Sequence, residues 1–415
     1  MTREVDYDVI IVGGGLVGAS LACALVDQPL RVAVIEATAL RSGAQPSFDA
    51  RTVALSYSSR RIFDAMRLWA VGIAPSASPI ERIVVCDRGH LGALRLDCRE
   101  HGTDALGYVV ENRVLGEALL ERVSNAHNVN YLCPASVTGF SRQTDTTTVQ
   151  LVLEGEPKQL TTRLVVAADG GNSAVRKLAG VKAWQVGYGQ TAIIANVLTD
   201  AGEPGVAFEK FTNSGPLALL PMIGPEQECG QRYALVWTVR DSQRDEILSL
   251  EDEAFLARLQ QRFGQRCGRF VAVGQRFGYP LTLLRMHQQV RSGLVFVGNA
   301  AHTLHPVAGQ GFNLGLRDVA ALAQTLVEAR TGGEDIGALR VLKRYAAWRR
   351  TDHLQVTAFT DGVVRLFSTD NLPFAVARNA GLLALDLVPP LKRAFARQAM
   401  GVMGRLPRLA RGLPL

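Results

Sequence analysis

The chain has 415 residues, 47% apolar and 20% charged, which is ample material for a buried core and argues against a disordered protein. At about 150 residues per domain the length suggests two or three domains. The six cysteines (Cys23, Cys86, Cys98, Cys133, Cys229, Cys267) form no C-x-x-C pair, which argues against a zinc ribbon or a disulfide framework and fits reduced thiols in a cytosolic protein. The net charge is +7, and six positive charges (Lys392, Arg393, Arg397, Arg405, Arg408, Arg411) lie beyond Asp386, the last acidic residue. Nucleic acid is a poor partner for such a tail, because no aromatic platform or reader motif accompanies the charges. An amphipathic contact with an anionic membrane, an acidic partner, or a plainly solubilising terminus remain open.

Tyr7–Val12 reads as a short buried strand, and its apolar run Val9–Val12 starts too late and stops at Gly13–Gly15, so it is not expected to be a signal-peptide core. Leu16–Val26 reads as the following helix, which Pro29 ends, and Arg31–Glu36 as the next strand. This strand–turn–helix–strand unit predicts a parallel sheet. Asn112–Ser124 has helical periodicity, whereas Thr146–Leu153 and Gln159–Ala168 read as strands. Gln190–Leu198, Val206–Phe211, Leu217–Leu220 and Tyr233–Val239 are further strands with little helix between them, which suggests a separate sheet. Leu294–Val297 reads as a buried strand, Phe312–Thr331 as a long helix, and the chain from Ile336 onward as mostly helical. No window offers about 18 uncharged apolar residues, so no membrane-spanning helix is expected. The nearest run, Leu382–Leu391, is interrupted by Asp386 and Pro389–Pro390. The expected architecture is an α/β nucleotide domain in separated blocks, with a β-rich insertion and a helical C-terminal region.

Between the first strand and helix lies Gly13-Gly14-Gly15-Leu16-Val17-Gly18, a G-x-G-x-x-G loop. Gly13 suits the tight turn, Gly15 a close approach of backbone to pyrophosphate, and Gly18 close packing of helix on strand. The helix N-terminus would then offer N–H groups and a positive dipole to phosphate. Glu36 lies 23 residues beyond Gly13, near the spacing of an acid that binds ribose hydroxyls. The adenosine of FAD or of NAD satisfies this pattern equally.

Two further stretches narrow the choice. Val165–Arg176 carries Asp169-Gly170, and Val297–Asp318 carries Gly298-Asn299-Ala-Ala-His302, His305-Pro306, Gly309-Gln-Gly311 and Asn313. They resemble the Asp-Gly and Gly-Asp motifs of the aromatic flavoprotein monooxygenases. Phe48–Ser56, Gly107–Arg113, Gly189–Asn196 and Gly215–Pro221 resemble the ubiquinone-biosynthesis branch of that family. The similarity covers nearly the whole chain and thins beyond about residue 365. One departure is Asn299, where the family has an Asp on the FAD ribityl chain. Asn still exchanges hydrogen bonds with a hydroxyl, and it removes one negative charge near the pyrophosphate.

The resemblance implies a Rossmann-like, para-hydroxybenzoate-hydroxylase-like FAD-binding domain in three blocks (1–75, 106–185, 276–345). A β-rich substrate domain (76–105, 186–275) and a helical C-terminal region with a basic tail (346–415) complete it. It places Gly13, Gly15, Gly18, Glu36, Arg51, Arg113, Asp169, Gly170, Asn299, Gly309, Gly311 and Asn313 around FAD. Read alone, Arg51 and Arg113 are as compatible with solvated surface charges. The implied reaction is hydroxylation of a polyprenylated phenol of ubiquinone biosynthesis, such as 2-polyprenyl-6-methoxyphenol. NADPH or NADH reduces FAD, and O2 is activated as a flavin C4a-hydroperoxide. Such chemistry needs neither a hydrolytic triad nor a metal.

Position in the motif puts the Pro306 carbonyl near the substrate hydroxyl and offers His302 or His305 as a proton relay, although a histidine in such a turn is often structural. The stretches around Leu219, Pro221 and Val236 would line an aromatic pocket or, equally, the core. A cytoplasmic protein, peripheral at the inner membrane face and in contact with other ubiquinone-biosynthesis proteins, is the expected setting. The alternatives are a hydroxylase of a small soluble phenol or of another ring position, a prenyl reductase or oxidase, and a non-catalytic flavin-fold scaffold.

Overall fold

The computed structural model describes residues 4–39, 51–87, 93–212, 214–224, 230–303, 309–367, 381 and 383–415. Among these, three sheets organise the chain. The first has eight strands. Its parallel centre orders Leu294–Phe296, Glu156–Ala167, Tyr7–Val12, Val32–Ile35 and Val129–Leu132. Val9, Ile11, Val32, Val34, Leu164 and Val166 pack on one face with Leu21, Leu316 and Leu322. Ile10, Val12, Ala33, Ile35, Val165 and Ala167 pack on the other with Val175 and Phe296. Side chains alternate across a strand, and both faces here are covered, so the sequence runs apolar without interruption.

The second sheet has nine strands and is mostly antiparallel. Its order is His302–Thr303, Phe277–Met286, Ala183–Thr199, Gln231–Arg240, Gly215–Met222, Val206–Thr212, Arg82–Asp87 and Ala93–Asp97, with Phe270–Val273 as a ninth strand paired to Ala183–Thr199. One face packs Ile193, Leu217, Leu219, Tyr233, Leu235 and Trp237 against Ile247, Phe255, Leu259 and Phe263. The last four lie on the helices Arg244–Leu248 and Asp252–Phe263, which the sequence reading did not foresee. The other face is open to a cavity. A small third sheet, Thr52–Ser56, Gly107–Glu111 and Ser78–Ile80, lies between.

The helices Gln310–Thr331 and Leu339–Phe367 pack on each other. Pro389–Ala399 forms a further helix, and the end of the chain folds back onto the body. Leu409 and Ala410 are buried in the core around the parallel sheet, and Ser58 N–H donates to the Met400 carbonyl at 3.0 Å. No helix among the described residues is long and apolar enough to cross a membrane.

Candidate functional site

A cavity of about 1080 Å3 runs from the glycine loop to the open face of the nine-stranded sheet. At one end it is lined by Gly13, Gly15, Glu36, Asp169 and Gly170, and at its centre by Asn299, Gly309 and Gly311. Its far wall carries Ile194, Ala218, Leu220 and Val236.

Gly13 and Gly18 stand in the tight turn and at the helix–strand contact for which their spacing reads. Gly13 has φ +101°, and a Cβ there would stand 2.6 Å from the Ala168 carbonyl oxygen. A Cβ on Gly18 would stand 1.8 Å from the Gly13 carbonyl oxygen, so Gly18 is a packing residue and not a lining one. Glu36 is buried, and its two carboxylate oxygens accept from Gly14 N–H at 2.6 Å and Thr38 N–H at 2.7 Å. Each oxygen keeps a second lone pair, but these bonds already fix the carboxylate beside the helix entry.

Asp169 Oδ2 accepts from Val175 N–H at 3.0 Å, while Oδ1 is buried without a partner in the described structure. A Cβ at Gly170 or Gly311 would meet nothing within 4 Å, and Asn299 is exposed. An unsatisfied acceptor, two open glycines and a free amide along one cavity fit a bound dinucleotide such as FAD. Arg176, which the sequence also offered to phosphate, is instead buried. It donates to the carbonyls of Gly171 and Ala300, tying the two motif loops together.

Other expectations are corrected. Arg113 does not line the cavity: its exposed guanidinium pairs with Glu117 at 3.1 Å and Glu111 at 3.5 Å. Arg51 does line it, stacked 4.9 Å from the Tyr279 ring centroid. Asn313 lines the cavity, but its amide is fully engaged by the protein. Oδ1 accepts from Ser56 N–H and Ser59 Oγ at 2.8 and 2.7 Å, and Nδ2 donates to Ala54 and Gly309 carbonyls at 2.7 and 2.8 Å. It therefore pins the helix Gln310–Thr331 to the strand Thr52–Ser56 instead of reaching a ligand.

On the far wall Val236 lines the cavity as expected, but Leu219 and Pro221 do not. Leu219 packs into the opposite face, and its neighbours Ala218 and Leu220 take the lining positions. A strand shifted by one residue exchanges its faces, and a uniformly apolar run hides the parity.

His302 also turns away: Thr303 lines the cavity, while His302 Nε2 lies 2.7 Å from Asp318 Oδ2. Asp318 is fully buried, and its Oδ1 also accepts from Arg349 Nε at 2.6 Å and His353 Nε2 at 2.7 Å. Arg349 and Arg317 both reach Asp352. Burial alone would raise the Asp318 carboxyl. The His353 and Arg349 charges and the two histidine hydrogen bonds outweigh it and hold the group well below the carboxylate range. The ligand atoms of His302, Asp318 and His353 lie within 4.8 Å of one another. With a guanidinium on the same carboxylate, these contacts describe a hydrogen-bonded ion cluster that locks three elements together. His305 and Pro306 lie outside the described residues.

Comparison with known proteins accounts for this arrangement. A family model described as an FAD binding domain matches residues 6–360. The chain is 42% identical to the ubiquinone hydroxylase UbiL of Rhodospirillum rubrum, over 98% of this chain and 93% of that one. It is 33% identical to the 3-demethoxyubiquinol 3-hydroxylase of Escherichia coli, over 97% of this chain and 100% of that one. Its fold is similar to the crystal structure of p-nitrophenol 4-monooxygenase PnpA from Pseudomonas putida. The TM-score is 0.78 at 19% identity, covering 97% of this chain and 100% of that chain. The chain belongs to the FAD-binding monooxygenases, in the branch that holds the ubiquinone-biosynthesis hydroxylases.

Proposed function

We propose that this protein hydroxylates the ring of a polyprenylated phenol in ubiquinone biosynthesis, with 2-polyprenyl-6-methoxyphenol as the favoured substrate. The net reaction converts phenol, O2, NAD(P)H and a proton into the dihydroxylated ring, water and NAD(P)+. Bound FAD supplies electron transfer from the nicotinamide and the activation of O2. Gly13, Gly15, Glu36, Asp169, Gly170, Asn299, Gly309 and Gly311 would hold it. The carrying observation is the cavity itself: the nucleotide loops and an apolar sheet face share one continuous space. Such a space orients an aromatic ring beside the cofactor and excludes water.

The C-terminal region supports an apolar substrate that arrives from a bilayer. Leu385, Phe395, Gln398 and Ala399 line the cavity from residues 381–399. Leu383, Leu387 and Leu391 on the same segment are exposed by 50, 67 and 49%, next to exposed Arg393 and Arg397. Apolar side chains beside cations suit an anionic lipid surface. The segment would rest on the membrane and pass the prenyl chain inward.

The test is lipid extraction from a deletion strain with mass spectrometry of quinone intermediates. A polyprenyl phenol lacking one hydroxyl should accumulate. Wild type should restore ubiquinone, and Gly15→Val, which blocks the phosphate loop, should not. Normal ubiquinone with no accumulated intermediate, once a redundant hydroxylase is excluded, would replace this reading with one of a small soluble phenol.

A further inference from the structure

We infer that Asp386 is a positioning residue for the prenyl chain: it latches the entry segment to the edge of the substrate wall, and so decides how well the cavity holds a long chain. This rests on the hydroxylase reading above. Asp386 is the one acidic residue in the apolar run Leu382–Leu391, on a chain end that is otherwise cationic. A carboxylate facing an anionic lipid surface would oppose the contact that the leucines and arginines of this segment favour. Its presence there calls for a partner within the protein.

That partner is a strand edge. Residues 383–387 form a helical turn, on which successive side chains stand about 100° apart. Leu385 lines the cavity, Asp386 reaches the strand Ala93–Asp97, and Leu387 is exposed. The strand ends the nine-stranded sheet and is paired on one side only among the described residues. Such an edge leaves backbone N–H groups without ladder partners. Asp386 Oδ1 accepts from Arg95 N–H at 3.0 Å, and Oδ2 lies 3.5 Å from the Arg95 guanidinium. Lys392 Nζ stands 3.8 Å from Oδ1 and donates to Glu100 at 3.0 Å. Pro389 and Pro390 open the next helix between these two contacts. The charge of Asp386 is thus met by the protein itself and turned away from the exposed leucines.

The latch holds the wall of an aliphatic arm. Side chains alternate along a strand, so Leu94 and Leu96 face the cavity while the Arg95 side chain is exposed. Their pairing partners Val85 and Ile83 line it with them. Leu385 and Phe395 pack against this cluster and cover the arm from the C-terminal side. The lining residues supplied by these two strands and by residues 381–399 include no charged side chain, and Gln398 is the one polar side chain among them. Such an arm binds an isoprenoid chain through buried apolar area, so affinity rises with each unit enclosed. That area is complete only while Leu385 stays against the cluster, and the adjacent Asp386 is what fixes it there.

The experiment uses the FAD-loaded protein and two methoxyphenols, one carrying a single isoprene unit and one carrying several. Wild type, Asp386→Ala and Asp386→Asn are compared for phenol Kd, KM and kcat. Wild type should favour the longer chain. Asp386→Ala should lose about tenfold of that preference, in KM and Kd more than in kcat. Asp386→Asn should recover most of it, because an amide oxygen still accepts from Arg95 N–H. An unchanged preference in Asp386→Ala would overturn the assignment. So would an equal loss on both phenols, which marks general loosening of the fold. Should Asp386→Ala misfold, Asp386→Glu decides: its extra methylene displaces the turn, and an unmoved preference would remove the latch. Equal Kd for the two phenols in wild type would remove the arm and its latch together. A wild type that binds both phenols but hydroxylates neither would remove the hydroxylase reading instead. The Kd of Asp386→Ala for the longer phenol, raised or unchanged, would then uphold or overturn the latch by itself.

Discussion

Asp318 accepts hydrogen bonds from Arg349, His302 and His353 at 2.6–2.7 Å with no exposed surface of its own. Replacing it by Asn removes one of the two carboxylates on the buried Arg349 guanidinium and leaves Asp352 to be shared with Arg317; removing one partner of a buried ion pair typically costs about 3–5 kcal/mol. Asp318→Asn should therefore unfold at markedly lower temperature in a calorimetric scan, with FAD-loop sequence intact. The cluster also sets a pH dependence. Burial depresses the His353 pKa below its ordinary 6.5, against the pull of Asp318, so the unfolded chain binds that proton more readily than the fold does. Stability from this group is complete above 6.5 and declines as pH falls through that value. The Tm of wild type should fall more steeply over that acid window than that of His353→Gln. Asp318 acts with the same sign further down the scale: its depressed carboxyl stabilises the fold above 3.8, and that share is lost only in strong acid. None of this was legible in the sequence. His302 was singled out from its motif, but its partners His353 and Arg349 lie over thirty residues beyond Asp318, and chain order does not reveal a helix packed alongside.

At the scale of elements, glycine spacing carried the reading furthest. Gly13 and Gly18 sit where a strand–turn–helix requires them, because each is fixed by local backbone contact, and Gly15 caps the helix start. The strand–helix pairs around them were legible for the same reason. Face parity was not: Gly215–Met222 is apolar on both sides, so Leu219 and Leu220 are indistinguishable until the pairing register is known. The helix Arg244–Leu248 is too short to show a period, whereas Asp252–Phe263 carries Phe255, Leu256, Leu259 and Phe263 at helical spacing, a signal that went unread between the strands on either side. Asn313 shows what a motif residue does when it is not a ligand. Of its four hydrogen bonds two hold the strand Thr52–Ser56, one Ser59 on the helix that follows and one Gly309 at its own helix start, each worth about 1 kcal/mol net. Asn313→Ala should leave the fold intact but loosen Gly309 and Gly311 beside the cavity. FAD affinity, followed by flavin fluorescence, should weaken about tenfold, equivalent to roughly 1.4 kcal/mol. An unchanged affinity would mean that the helix start is held by other contacts.

Across the whole molecule, the C-terminal tail has two roles that a simple truncation would confuse. Its charge bias drew attention in the sequence, yet charge alone did not reveal that the same segment closes the cavity and enters the core. Ala396 and Met400 pack with Leu94, Leu96 and Phe211, and Leu409 is buried beside the parallel sheet. Losing Met400 and Leu409 alone removes about 3 kcal/mol or more of burial. Deleting residues 392–415 should therefore lower the Tm by several degrees and expose the substrate wall, whatever the membrane does. The exposed positions separate the two roles. Leu387 and Leu391 face solvent, so Leu387→Glu with Leu391→Glu should leave Tm and FAD content unchanged. The double variant should lose co-flotation with vesicles of anionic phospholipid, and the loss should mimic high salt, which screens Arg393 and Arg397. Activity on a short-chain phenol should persist while activity on a long-chain one in vesicles falls. Wild-type flotation by the double variant would show that this face meets a protein partner or none, and that the prenyl chain enters elsewhere.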